Sequence, residues 1–228
     1  FKKVEGPVEI VSTGRYVNFK GSLTGAGVLA SNATGRRIAG QSPRVDVAGD
    51  YNRDTGVVTL DPSTARLAKG RIAASGAISI REKTLDVQAR LQHVSGLLSS
   101  APDLSATGSV AVTGPFAAPS IVADVNAQGI NEVNATAAKA FGNIARLRAT
   151  VQKTDSSYRV RTARIDGDNV NLSISGTYAP GGAANLSGQL TQSDAIPISG
   201  SAIDLSSGIF QLSGPRGVDA MSLASSGG

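Results

Sequence analysis

Strict two-residue alternation constrains this chain more than any other feature. From Thr84 to Gln92, Leu85, Val87, Ala89 and Leu91 alternate with Asp86, Gln88, Arg90 and Gln92. Successive side chains of a strand point to opposite faces, so this spacing predicts a strand with one dry and one wet face. Ile72, Gly76, Ile78 and Ile80 form an alternating run before it, and Arg81, Glu82 and Lys83 make a charged turn between the two. The pair reads as a β-hairpin. About a hundred residues later the pattern returns: Thr162, Ala163, Arg164 and Ile165 echo Thr64, Ala65, Arg66 and Leu67. Gly176 echoes Gly76, Pro180 to Gly182 echo the charged turn, and Leu186 and Leu190 echo Leu85 and Leu91. Hairpin repeats near 64–92 and 162–190 point to an extended, repetitive β-structure.

The remaining segments follow the same grammar. Val8, Ile10, Val17 and Phe19 are strand-like, and Ala30 to Pro43, rich in Gly, Asn and Ser, reads as a loop. Val45 and Val47 lead to a tight Asn52 to Gly56 turn, from which Val57, Val58 and Leu60 return, with Pro62 closing that strand. Leu97 and Leu98 lie in a connection. Leu147, Ala149, Val151, Tyr158 and Val160 resume the alternation, and the pairs Ile196/Ile198, Ile203/Leu205 and Ile209/Leu212 are short. Asn134 to Ala140 is alanine-rich without alternation, so at most one short helix is expected, near 134–141. Residues 1–221 read as one elongated segment of a longer protein, and the Ser- and Gly-rich residues 222–228 as a frayed end. At ~10 to 12 residues per strand the chain holds on the order of twenty strands. Stacked about 4.8 Å apart, they span roughly 90 Å as one sheet, which must curl or fold over; groove, sandwich and barrel all remain open.

Composition narrows the use of such a sheet. Aromatics are 4% of the residues and tryptophan is absent, so Ala, Val, Ile and Leu do nearly all the burying. Without large rings, the apolar face is left for something else to fill. The net charge of +5 is spread singly along the chain, without basic clusters or aromatic platforms, which argues against nucleic acid. Cysteine is absent, so there is no disulfide or thiolate chemistry, and no apolar run approaches the ~20 residues of a membrane helix.

Motifs for catalysis or cofactors are weak. His93 is the single histidine and reads as a surface residue. Gly25 to Ala30 matches a loose dinucleotide fingerprint, with Asp46 some way on, but Ser31 to Gly35 do not sustain the helix that its mechanism needs. Asp166, Gly167, Asp168 and Asn169 open like a calcium loop. Asn171 stands where that loop needs glycine and Thr177 where it needs glutamate, so a hairpin turn is the better reading. No enzyme activity, cofactor or metal is expected.

The run Gly108, Val110, Val112, Gly114, Pro115, Phe116, Pro119 and Ile121 to Val125 resembles a recurring phrase of the TamB and AsmA-like family, as do the hairpins at 65–91 and 163–190. In that phrase a strand ends at glycine, a small turn follows and proline opens the next strand. The resemblance implies an all-β fold: a long antiparallel sheet folded over into an open, taco-shaped, β-solenoid-like groove with a greasy interior. It also implies a periplasmic, bridge-like protein of a Gram-negative bacterium, held to the inner membrane by an anchor outside this segment. Such proteins move phospholipid to the outer membrane and, for TamB, work with an outer-membrane barrel partner in protein assembly and secretion. The residues expected to line the groove are Val45, Val47, Val57, Ile78, Ile80, Leu85, Val87, Leu91, Val170, Leu172, Ile174, Leu186 and Leu190. The alternative is a closed-core structural or interaction β-solenoid, adhesin- or scaffold-like. A transmembrane barrel would want aromatic girdles, which are missing.

Overall fold

The computed structural model describes residues 3–26, 33–96, 98, 101–133, 135–180, 182–192, 196–198, 201–203, 207–214 and 220–225. The molecule is all-β, as the alternation predicts, and its antiparallel sheet is open. The chain divides into two compact units, residues 1–116 and 117–228.

In the first unit, β1 (Lys3–Glu5) and β2 (Val8–Thr13) both lie against β3 (Tyr16–Ala26), with the break between them at Gly6 and Pro7. After helix α1 (Ala33–Ala39), strands β4 (Arg44–Asn52), β5 (Val57–Leu67), β6 (Gly70–Ser79), β7 (Thr84–Ser95) and β8 (Ser105–Pro115) follow as a meander in chain order. The second unit repeats the plan. It runs from β9 (Ser120–Gln128) through α2 (Ala135–Phe141) to β10 (Ile144–Lys153), β11 (Tyr158–Asp166), β12 (Val170–Tyr178) and β13 (Ala184–Gln192). A small hairpin, β14 (Ile196–Ile198) and β15 (Ser201–Ile203), then precedes β16 (Ser207–Gly214) and β17 (Ala220–Ser225).

Matching irregularities align the two units residue by residue. In β5 the pairing with β6 slips between Leu60 and Ser63, and in β11 the pairing with β12 slips between Val160 and Ala163. Just beyond each bulge stands a glycine of the next strand, Gly76 (φ 146°) or Gly176 (φ 130°). A Cβ on Gly76 would fall 2.1 Å from the Asp86 carbonyl oxygen, and one on Gly176 2.2 Å from that of Asn185. Gly76 faces Val87 and Gly176 faces Leu186. The repeat thus holds, but Leu186 matches Val87, not Leu85, and Ala163 matches Ser63, two residues from the apparent echo. Pro62 does not end its strand either: it sits inside β5, in the bulge, where a missing N–H breaks no ladder bond. Ser63 repairs the gap, its Oγ accepting from the Ala48 N–H at 3.2 Å and donating to the Asp61 carbonyl at 2.8 Å.

The helices obey one rule. α2 lies where the alanine run predicts it, whereas α1 occupies a stretch that reads as a loop. Each ends at a glycine in the left-handed region, Gly40 (φ 73°) or Gly142 (φ 71°). The exposed carbonyls beyond are then satisfied by a later hairpin turn. Lys69 and Ala68 N–H groups donate to Ile38 and Ala39, and Asn169 and Asp168 N–H groups donate to Ala140 and Phe141. A seven-residue helix is too short to hold by itself. Tertiary capping, invisible to local propensity, supplies what the Gly- and Ser-rich sequence lacks.

Most of the buried hydrophobic side chains collect at these helix-bearing ends: Val94, Ala101, Leu104 and Ala106 in the first unit, and Ile130, Ala140, Ala145 and Val170 in the second; Ala184, opposite Tyr178, is buried at the other end of its strand. Val170 packs with Ala140, Phe141 and Leu190. At the far end of the described chain, β17 pairs with β16. Residues 226–228, Leu97, Asn134, Gly181 and the Gly27 to Asn32 part of the fingerprint stretch lie outside the described residues.

Candidate functional site

Pairing register decides which side chains share a face. In the first unit Leu23, Val45, Ala65, Ile72, Leu91 and Gly108 form one cross-strand row, and Tyr51, Val58, Ile78, Leu85 and Gly114 another. Val47 opposes Gly21, and Val87 lies between Gly76 and Val112. Six of the expected residues, Val45, Val47, Ile78, Leu85, Val87 and Leu91, therefore stand on one aliphatic face.

Two expected residues do not join them. Val57 pairs with Asn52 and Ser79 on the polar face, and Val58 takes its place. Two adjacent valines give alternation nothing to choose between; the four-residue Arg53 to Gly56 turn sets the register. The Asn52 Oδ1 accepts from the Asp54 and Thr55 N–H groups, and Gly56 turns at φ 71°. Ile80 lies past the end of β6, in the hairpin turn, and is 55% exposed.

In the second unit all five expected residues share a face. Leu172 lies between Ile165 and Leu190, Ile174 between Ala163 and Gly188, and Leu186 between Gly176 and Leu212. Val170 is on that face too, but at the sealed helix-bearing end, 2% exposed. Leu23, Leu60, Leu67 and Ile72, and in the second unit Val125, Val151, Val160 and Ile165, belong to these faces and were missed. Strand β5 hid its members because the bulge at Pro62 inverts the alternation halfway along it.

Neither face is sealed. Leu85, Val87, Leu91, Leu172, Ile174, Leu186 and Leu190 are each half-buried, and Leu147 is more exposed still. Among the described residues no large side chain is completely buried. A packed β-sandwich would bury the middle of such a face against a second layer. Recesses lie on the opposite, polar faces. One of about 480 Å³ lies between Pro7, Lys20, Asp46 and Pro62, and one of about 350 Å³ around Asp124, Arg148 and Thr162.

Polar side chains on those faces make an ionic lattice. Arg146 grips Asp124 through two bonds of 2.8 and 2.6 Å, and Asp166 accepts from Arg148 and, at 2.5 Å, from Arg164. The Arg146 bond holds Asp124 below the usual carboxylate range and raises Arg146, while Arg148, then Arg164, lower Asp166. Asp46 is lowered first by the Ser22 hydroxyl, at 2.6 Å, and then by Arg44. Asp166 to Asn169 thus form a hairpin turn whose first carboxylate is occupied by arginines. His93 is exposed in β7 at φ 49°. Among the described residues no three His, Asp or Glu side chains gather as a metal site, and no helix is long and apolar enough to cross a membrane.

Comparison with models of known families, with characterised proteins and with solved structures finds no match for this chain.

Proposed function

We propose that the aliphatic faces of the two units hold the acyl chains of phospholipids. In this reading the chain is a periplasmic part of a lipid-transport protein of the TamB and AsmA-like kind, anchored to the inner membrane and serving outer-membrane biogenesis. The observation that carries the reading is the incomplete burial of those faces. Each presents rows of Val, Ile and Leu that the protein itself leaves half-covered, interrupted by glycine and alanine; the rings Phe19 and Tyr51 in the first unit, and Tyr158 and Tyr178 in the second, stand among these rows without sealing them. Each methylene that such a face takes from water contributes about 0.8 kcal/mol, so a chain of ordinary length gains enough to bind and, having no polar fixture to release, to slide.

Native mass spectrometry of the gently extracted protein tests this: bound phospholipid is expected. Leu85→Arg or Val87→Arg places a charge in the middle of the first face. Either is expected to abolish capture of a fluorescent fatty-acyl probe while the folded far-UV spectrum persists. A lipid-free wild type that ignores the probe, or arginine variants that bind it normally, would overturn the proposal.

A further inference from the structure

The two units serve as controls for each other on their polar faces. In the second unit, the two side-chain rows nearest the helix-bearing end hold Arg146, Arg148 and Arg164 against Asp124 and Asp166, all ion-paired. The corresponding rows of the first unit hold Arg44, Arg66, Arg71 and Arg90 against Asp46 and, on β1, Glu5, which is paired with Lys3. Arg66 occupies the place of Asp166, Arg71 that of Asn171 and Arg90 that of Gln189.

Register sets Arg44 directly opposite Arg66, and Arg66 directly opposite Arg71, on three neighbouring strands. Like charges so placed destabilise a sheet, so packing does not account for them. Asp46 is engaged by Ser22 and Arg44, and Arg71 and Arg90 form no ion pair among the described residues. On this face Lys20, directly opposite Glu9, lies one row further along, and Asp50 and Asp86 one row beyond that. The side chains between the arginines, Thr64, Ala73 and Ser109, are small, and a recess of about 290 Å³ opens beside Arg90.

We propose that this arginine row docks the first unit onto the phosphate headgroups of an anionic bilayer. Guanidinium forks match phosphate oxygens in pairs, and strand spacing sets the backbones that carry Arg44, Arg66 and Arg71 about 4.8 Å apart. No aromatic ring stands among them to stack a base, which disfavours single-stranded nucleic acid. The inference uses the face opposite the aliphatic one and does not depend on acyl-chain binding.

Flotation of the full chain with phosphatidylcholine vesicles, with and without phosphatidylglycerol, is the test. The wild type is expected to bind only the anionic vesicles, and less well as salt rises. The combined variant Arg66→Asp, Arg71→Asn and Arg90→Gln installs the second unit's own residues, and its partitioning is expected to fall on the order of a hundredfold. Arg90→Gln alone, at an exposed position, is expected to show a smaller fall in the same direction. A control with the same net-charge change in the second unit, Arg159→Asp, Lys153→Asn and Lys139→Gln, is expected to bind like wild type. Equal loss in the control, no loss in the combined variant, or a wild type that ignores anionic vesicles but binds polyglutamate or DNA would overturn the proposal. Acyl-probe capture, measured on the same proteins, is expected to be unchanged, so failure of docking and failure of the lipid-binding face are read separately.

Discussion

Asp166 shows how much one position decides. It accepts from arginines on two strands, and Asp124 is gripped by Arg146, so both titrate below the ordinary carboxylate value. A carboxylate whose pKa is lower in the fold adds stability that is complete above its unfolded value of about 4. That contribution is lost as pH falls through the folded value. These groups are solvent-exposed, so the effect is modest. Urea midpoints measured from about pH 6 down to about pH 2 are therefore expected to decline. Asp124→Asn is expected to lower the midpoint at neutral pH and flatten that decline; an unchanged pH profile would show that the lattice adds nothing. The charged residues were plain in the sequence, but not which of them meet, because a two-residue shift in the apparent repeat set Arg66 beside the wrong counterpart.

At the scale of the element, the strands were legible because alternation is a property of a single strand and needs no partner. Leu85 to Leu91 and Leu172 to Ile174 face as their spacing predicts. Alternation failed where a neighbour intervened: at the Pro62 bulge, at the paired valines 57 and 58, and at α1, which is completed by the β5–β6 turn. The glycines of β6 and β12 bind these elements to the repeat. Gly76→Val and Gly176→Val each force a side chain into φ above +120° and into a neighbouring carbonyl. Each is expected to cost about 3 kcal/mol in chemical denaturation. Free tolerance of either would mean that the bulge and glycine do not act as one device.

Across the whole molecule, burial is uneven. Apart from Ala184, the sealed hydrophobic residues gather at the helix-bearing ends, and the aliphatic faces between remain half-covered. Val170→Ala, at 2% exposure, is therefore expected to cost about 2 kcal/mol. Leu85→Ala removes a larger side chain but one already half in water, and is expected to cost only about 1 kcal/mol. The same change in a sealed core costs about 3 kcal/mol or more, so a Leu85→Ala loss of that size, read from denaturation midpoints, would place a covering layer over the face.

By itself the sequence determined the strand content, the two-sided character of those strands and a repeat of about a hundred residues, since each is written in local spacing. Tertiary structure alone decided the rest: which valine of a pair faces the aliphatic side, that α1 exists, and that Arg146, Arg148 and Arg164 meet carboxylates whereas, among the described residues, Arg71 and Arg90 do not. Those outcomes depend on register and on bonds between residues tens of positions apart, and a period-two pattern reads the same after any two-residue slip.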